Sequence, residues 1–379
     1  MYDLAVTGGT VVDPAQRLNE RMDVAITGGS VSEVAPRLDA GRAARAIDAT
    51  GMVVCPGLVD LHVHIYEGVS HYGINADEHV LRSGVTTAVD AGSAGASTFS
   101  GLRRYVIDVS DTRLFAFLNI SGMGMISESV GELEEIRWAD PAAAIKVCEA
   151  NRDLILGIKI RISRKLAGPN VAPALRNARE AADATGLPVM VHPNDAQDFS
   201  LDDVLAYLKA GDIVTHCFHG MAGGILTSDG HVRESVRRAV DNGVLLDVGH
   251  GQGSFDFDVA ERAMAEGVVP HTISSDLHVY NLHGPVFDLA TTVSKFLLLG
   301  LDLPDALRRC TASPAEVMGM KGQIGTLAPG AAGDLTILRI EETPYAFVDS
   351  YGKERRGELR LVPATVIKAG KEVPAVVRG

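Results

Sequence analysis

Cysteine is scarce in this chain, with four in 379 residues, at Cys55, Cys148, Cys217 and Cys310, and no C-x-x-C pair among them. That spacing excludes a disulfide scaffold, and the four are expected to be reduced and mostly buried as small apolar side chains. Long apolar runs are also missing. The longest candidate, around Phe296 to Leu299, falls far short of the roughly 20 residues that span a bilayer. The opening "MYDLAVTGGTVVD" has no basic region ahead of an apolar core, so no secretion signal is read and a cytoplasmic location is expected. Positive charge is in deficit: 35 Lys and Arg stand against 48 Asp and Glu, a net charge of −13. A phosphate-backbone partner needs a basic face, so neither nucleic acid nor a membrane is expected as a partner. Homo-oligomerisation is left open.

What the chain does contain is two kinds of pattern. Roughly the first fifty residues alternate apolar and polar positions around "TGGT" and "TGGS", and from about Gly322 the same character returns in "GTLAPGAAGDLTIL" and "LRLVPATVIKAG". Both ends therefore read as short strands joined by glycine turns. They are expected to form one small β-sandwich domain, residues 1–55 plus 322–379. The middle, residues 56–321, alternates Val/Ile/Leu-rich runs with helical patterns. Eight runs are counted: "LVDLH", "VTTAVD", "RLFAFLN", "LILGIKI", "LPVMVH", "DIVTHC", "GVLLDVG" and "HTISSD". Segments such as "APALRNAREAADATG" and "HVRESVRRAVDNG" between them close on glycine, as helix C-termini do. Eight alternations over this length fit an α/β fold of the (β/α)8 TIM-barrel type.

Barrel active sites lie at the C-terminal ends of the strands. His62 and His64 end the first run, Lys159 the fourth, His192 the fifth, His216 the sixth and Asp276 the eighth. Side chains at i and i+2 share a strand face, so His62 and His64 can reach one object. By the same alternation, Cys217 is expected to face away from any site that His216 faces. Four imidazoles and a carboxylate suit zinc, and the set exceeds what one ion uses, which points to two divalent ions holding a bridging hydroxide. Lys159 has two readings: an inward lysine paired with a carboxylate, or an amine kept neutral by nearby metal, able to add carbon dioxide and bridge the ions as a carbamate. Asp276 likewise reads as a general base or as a helix N-cap.

Taken in order, "PGLVDLHVH", the lysine of "GIKIR", the histidines of "VMVHPN" and "VTHCFHG", the aspartate of "ISSDLH" and the closing "GTLAPGAAGDLTIL" resemble the amidohydrolase superfamily of the binuclear type. The resemblance implies a metal-dependent hydrolase in which His62 and His64 bind one ion, His192 and His216 the other, and carbamylated Lys159 bridges them. It gives Asp276 two roles, binding metal and taking the proton of the bridging hydroxide.

Cyclic-amide hydrolases such as dihydroorotase carry an arginine two residues after the second histidine, where this chain has Tyr66. D-aminoacylases that use cysteine in place of the lysine match poorly, because Lys159 is present. "THCFHGM" and "DVGHGQGSF" look similar to a dihydroorotase-like branch described as deacetylases. The expected reaction is removal of an acetyl group from small N-acetyl amino acids or O-acetyl hydroxy acids. The alternatives are a cyclic amidohydrolase and a non-catalytic metal-binding scaffold, the latter disfavoured because all six ligand-type positions are kept. Arg161 is read either as the anion contact or as deeper barrel packing. Tyr66, His219, His250 and His278 are read as substrate contacts or as supporting loop residues. The glycines of "HGMAGGILTSDGH" mark a loop, with no Lys-Ser/Thr pair to make a phosphate cradle.

Overall fold

The computed structural model describes residues 1–194 and 199–378. Seven parallel strands follow one another in sheet order as in sequence: Leu58–Val63, Val85–Gly95, Arg113–Asn119, Ile155–Ile162, Val189–Pro193, Ile213–Val214 and Leu245–Leu246. The eighth run, "HTISSD", closes the ring without forming a regular strand. Thr272 bridges Asp247 at one edge and Leu277 bridges Val63 at the other, both in parallel sense. The Asp276 amide donates to the His62 carbonyl at 2.7 Å, and the His64 amide to that of Leu277 at 3.0 Å. This is the expected barrel, with its last strand reduced to isolated bridges.

Helices pack outside the strands. Val171–Thr185 buries Ala174, Leu175, Ala178, Ala181 and Ala182 and stops at Gly186, whose φ of +69° only glycine adopts cheaply. Val59, Leu61, Val89, Ala91, Phe117, Met190 and Ile213 fill the barrel interior.

The first strand departs from simple alternation. Val59 and Leu61 point inward and Val63 joins the outer core, while the register slips between Asp60 and Val63. The slip reverses the parity after Leu61, and that is how His62 and His64 come to face the interior. Bulges beside active sites re-aim side chains in this way.

Strands from both ends of the chain build the β-sandwich. One sheet runs Ser30–Ala35, Asp23–Thr27, Tyr2–Thr7, Ala43–Asp48; the other runs Lys371–Pro374, Arg360–Lys368, Leu335–Glu341, Val53–Pro56, Thr10–Asp13, Leu18–Arg21. Leu4, Val24, Ile26, Val54, Ile337 and Ile367 meet between them. Leu338 and Leu361 turn instead into the barrel's outer core. Asp334, in the "GDLTIL" segment, joins the two parts. Its carboxylate accepts from Arg113 at 2.6 Å, from Lys368 at 2.9 Å and from the Ala369 amide at 2.8 Å. Among the described residues no helix is long and apolar enough to cross a membrane.

Burial alone would raise the Asp334 carboxyl, but Lys368 and Arg113 outweigh it and hold the group below the usual carboxylate range. A depressed folded-state value stabilises the fold above the unfolded value of about 4, and this contribution fades as pH falls through the folded value. Asp334→Asn should therefore destabilise the protein at pH 7 by about 3–5 kcal/mol, the cost of breaking a buried pair. The deficit should shrink as pH drops below about 4, which urea unfolding at pH 3–7 measures; an equal deficit at every pH would show that the charge is not what matters.

Candidate metal centre

At the C-terminal mouth of the barrel, ligand-type atoms of His62, His216 and Asp276 lie within 4.8 Å of one another. His64 joins through Asp276, its Nε2 being 3.2 Å from Oδ1, against 3.4 Å for His62 Nε2. His192 joins through His216, with ring centroids 4.2 Å apart. Lys159 is fully buried, with Nζ 3.5 Å from His62 Nε2 and 3.5 Å from Met190 Sδ. The six positions read as ligands therefore converge. Among the described residues no carboxylate lies within ion-pair distance of Lys159 Nζ.

Outer partners orient the rings. The Thr215 hydroxyl donates to Asp247 at 2.7 Å, so toward His62 Nδ1, 2.9 Å away, its oxygen accepts. His62 thus carries its proton on Nδ1 and turns an Nε2 lone pair to the centre. The Gly249 carbonyl does the same for His216 at 2.6 Å. His64 Nδ1 meets Ser93 Oγ at 2.9 Å, and Asp90 holds the Ser93 amide at 2.6 Å. Such contacts fix the tautomer of metal-binding imidazoles.

Burial sets the ionisation. It holds His62, His192 and His216 well below the usual histidine value, helped by neighbouring cationic groups, and takes His64 down to about 3. Burial lowers Lys159 to about 7 and raises Asp276 to about 6. The imidazoles are neutral and can ligate. Among the described residues no donor hydrogen-bonds to the buried Asp276 Oδ1. A carboxylate oxygen facing imidazole lone pairs in a dry site is compensated by a cation between them, so these residues fit divalent metal.

His216 and Asp276 both adopt left-handed backbone, φ +60° and +51°. Regular strand ends at Val214, before His216, so alternation is not what separates His216 from Cys217. The turn at His216 sends its ring to the centre, while Cys217 packs in the apolar core with its thiol raised well above the ordinary value by burial. Asp276 precedes no helix; the next, Leu289–Leu298, is capped by Asp288, so the N-cap reading falls.

A cavity of about 390 Å³ opens over the ligands and shares His71, Tyr72, Glu128, Arg161 and His192 with a neighbouring one of about 570 Å³. Arg161 lines both, with Nε on Glu132 at 2.6 Å and Nη1 3.4 Å from Tyr72 Oη. His278 lines the first, 4.8 Å from the Tyr72 ring, its Nδ1 accepting from the Tyr280 amide. The other three expected contacts do not line it. Tyr66 donates to the Thr98 carbonyl at 2.9 Å and borders a separate cavity. His219 is buried beside Gly224, and His250 is buried against Lys295. Tyr66 and His219 stand two and three residues beyond His64 and His216, and His250 follows the seventh strand, but none of the three rings faces the cavity. His71, Tyr72, Gln252, Ser254 and Tyr280 line the cavity without having been expected; they sit in loops, where no periodicity marks which side chains face inward.

A deacetylase of Brucella anthropi is 35% identical over 344 residues, covering 89% of this chain and 85% of its own length. A crystal structure described as an adenine deaminase matches with a TM-score of 0.91 at 33% identity, covering 98% of this chain and 100% of that one. Another, described as a dihydroorotase, matches at 0.90 and 32%, covering 99% and 98%. Three names at nearly equal similarity leave the substrate to the cavity, but the scaffold beneath them is one. The amidohydrolase family model spans residues 53–373, the whole barrel with its ligand positions, and the chain belongs to that family.

Proposed function

We propose that the chain is a metal-dependent deacetylase acting on small N-acetyl amino acids or O-acetyl hydroxy acids. The observation that carries the reading is the gathering of His62, His64 and His216 about Asp276, with His192 against His216 and Arg161 on the wall of the same cavity. The name of the Brucella anthropi relative supports the acetyl group as the one removed.

His62 and His64 would hold one divalent ion and His192 and His216 the other. The mixed nitrogen and oxygen donors suit zinc. Lys159, buried beside His62 Nε2, would add carbon dioxide through Nζ with loss of one proton, and the carbamate would offer the ions an anionic oxygen ligand. The ions would polarise the acetyl carbonyl and lower the pKa of water. Asp276 accepts the proton of the attacking water on its carboxylate and returns it to the departing nitrogen or oxygen. Arg161, held at Nε by Glu132, presents its remaining nitrogens to the substrate carboxylate. The cyclic-amide alternative lacks its cation: position 66 is a tyrosine, and that tyrosine is bonded to Thr98 away from the cavity. The four free, buried cysteines suit a reducing cytoplasm.

Elemental analysis of protein purified without chelator should find about two zinc-class ions per chain, since one tetrahedral site cannot use this many ligands. Lys159→Ala should lose metal and turnover together, with partial rescue by a short carboxylic acid. Full metal and turnover in that variant would return Lys159 to the core.

Asp276→Asn should leave the fold intact and lower kcat by at least about 10², the loss expected of a general base. Unchanged turnover would remove the proton role from Asp276.

Across a panel of acetylated α-amino and α-hydroxy acids, dihydroorotate and hydantoins, the acetylated acids should give the higher kcat/KM. The methyl ester of the best acid and the Arg161→Met variant should both lose that advantage. A clear preference for dihydroorotate would overturn the substrate class and leave the metal chemistry standing.

A further inference from the structure

Lys295 is a second lysine inside the protein that the reaction does not use. It lies on helix Leu289–Leu298, 1% exposed, and its three ammonium protons have three acceptors: His250 Nε2 at 2.6 Å, the Val348 carbonyl at 2.7 Å and the Pro285 carbonyl at 2.9 Å. These acceptors come from the loop after the seventh barrel strand, the C-terminal hairpin Tyr345–Val348/Glu354–Gly357, and the loop before the helix. Because His250 Nε2 accepts, its proton sits on Nδ1 and goes to the Gly251 carbonyl at 3.0 Å. The ring stacks on Phe255 with centroids 4.6 Å apart.

The backbone on either side of His250 touches the metal centre. The Gly249 carbonyl accepts from His216 Nδ1, and its amide donates to Ser274 Oγ at 2.9 Å. The His250 and Gly251 amides bond to the Ser274 and Ser275 carbonyls, the two residues before Asp276. Gly249 and Gly251 have φ of +46° and +57°, and a Cβ would strike His216 and Thr215 at the first and Asp276 Oδ2 at the second. Segment 249–251 is therefore wedged against both left-handed ligands, and His250 is the side chain that ties it down.

We infer that Lys295 is a positioning residue: through His250 it locks segment 249–251 in the place that orients His216 and Asp276 toward metal. The inference rests on the metal reading of the site. Ser350 adds to the lock from the hairpin, its hydroxyl lying 3.0 Å from the Gly251 carbonyl. Burial draws the Lys295 ammonium down to about 7 and holds His250 well below the usual histidine value, in keeping with a neutral ring accepting from lysine.

The test is a double-mutant cycle on metal affinity, read by competition with a chelator, with kcat and KM measured alongside. Lys295→Met and His250→Gln should each weaken metal binding about 10–100-fold, the range for lost outer partners of metal ligands. The loss of turnover should fall in kcat, with KM little changed. The double variant should be no worse than the weaker single one, because both break the same connection. Wild-type affinity in either single variant, or losses that multiply in the double, would overturn the inference. Should Lys295→Met fail to fold, His250→Gln decides alone, since it leaves Lys295 its two carbonyl acceptors. A wild-type chain that takes up no metal would overturn the metal reading itself and this inference with it, an outcome distinct from a wild type that binds and variants that bind equally well.

Discussion

Asp276 Oδ1 lies 3.2–3.4 Å from the Nε2 atoms of His62 and His64 in a buried mouth, and among the described residues no hydrogen bond reaches that oxygen. A carboxylate oxygen set against the His62 lone pair is unfavourable in a low dielectric, and protonating the histidines to relieve it is opposed by the same burial. The rest of the barrel mouth can be understood as what holds this arrangement until a cation balances it. Thr215 and the Gly249 carbonyl each fix a tautomer, and Ser93 completes the set on His64. Asp247 gathers the hydroxyls of Thr215, Thr272 and Ser274. That network reaches across the last three barrel positions, so closing the ring and aiming the ligands are the same set of bonds.

The backbone carries part of the load. A register slip in the first strand turns His62 and His64 inward, and left-handed turns aim His216 and Asp276. Such conformations cost of order 1–3 kcal/mol each and persist where surrounding contacts determine them. Here the contacts are specific: Asp60 binds the amides of His62 and Ser275, one at the slip and the other just ahead of Asp276. On the other side, the C-terminal hairpin braces the loop after the seventh strand, with Tyr351 bonding both the Gly220 amide and the Gly253 carbonyl. The β-rich end of the chain thereby supports the mouth of the barrel.

The barrel was legible because eight apolar runs of strand length alternate with amphipathic segments ending in glycine, a pattern that depends on composition and spacing alone. The six ligand-type residues were expected to gather at one mouth because each stands at or just beyond the end of a run, and they do gather there, though strand alternation is not the whole cause. Strand alternation does not account for His62, which needs the slip, or for His216, which lies past the strand. Tyr66, His219 and His250 take the supporting-loop reading rather than the substrate-contact one: past a strand end φ decides direction, as left-handed His216 before His219 and Gly249 before His250 show. His71 and Tyr72 had no periodic signal at all. Lys295 was hidden differently, since a lysine in an apolar helix signals nothing until its three acceptors, drawn from distant parts of the chain, are assembled around it.

Reaction class and substrate are set by different parts of the site. The ligand-type residues and their outer partners stand on strand ends and on loop backbone wedged between them, and little could vary there without disturbing their arrangement. The cavity walls are side chains of loops: His71 and Tyr72 after the first strand, Glu128 after the third, Gln252 and Ser254 after the seventh, Tyr280 after the eighth. A loop can exchange these without disturbing the centre. Relatives of 32–35% identity described as a deacetylase, an adenine deaminase and a dihydroorotase are what that division produces. Arg161 is the exception that ties the two levels together. It stands on the fourth strand two residues beyond Lys159, with Glu132 fixing its Nε, so its cation is placed by the barrel itself while its other contact, Tyr72, is a loop residue. A fixed positive charge is thus supplied by the rigid part of the site, and the shape of the cavity around it is left to the part that can change.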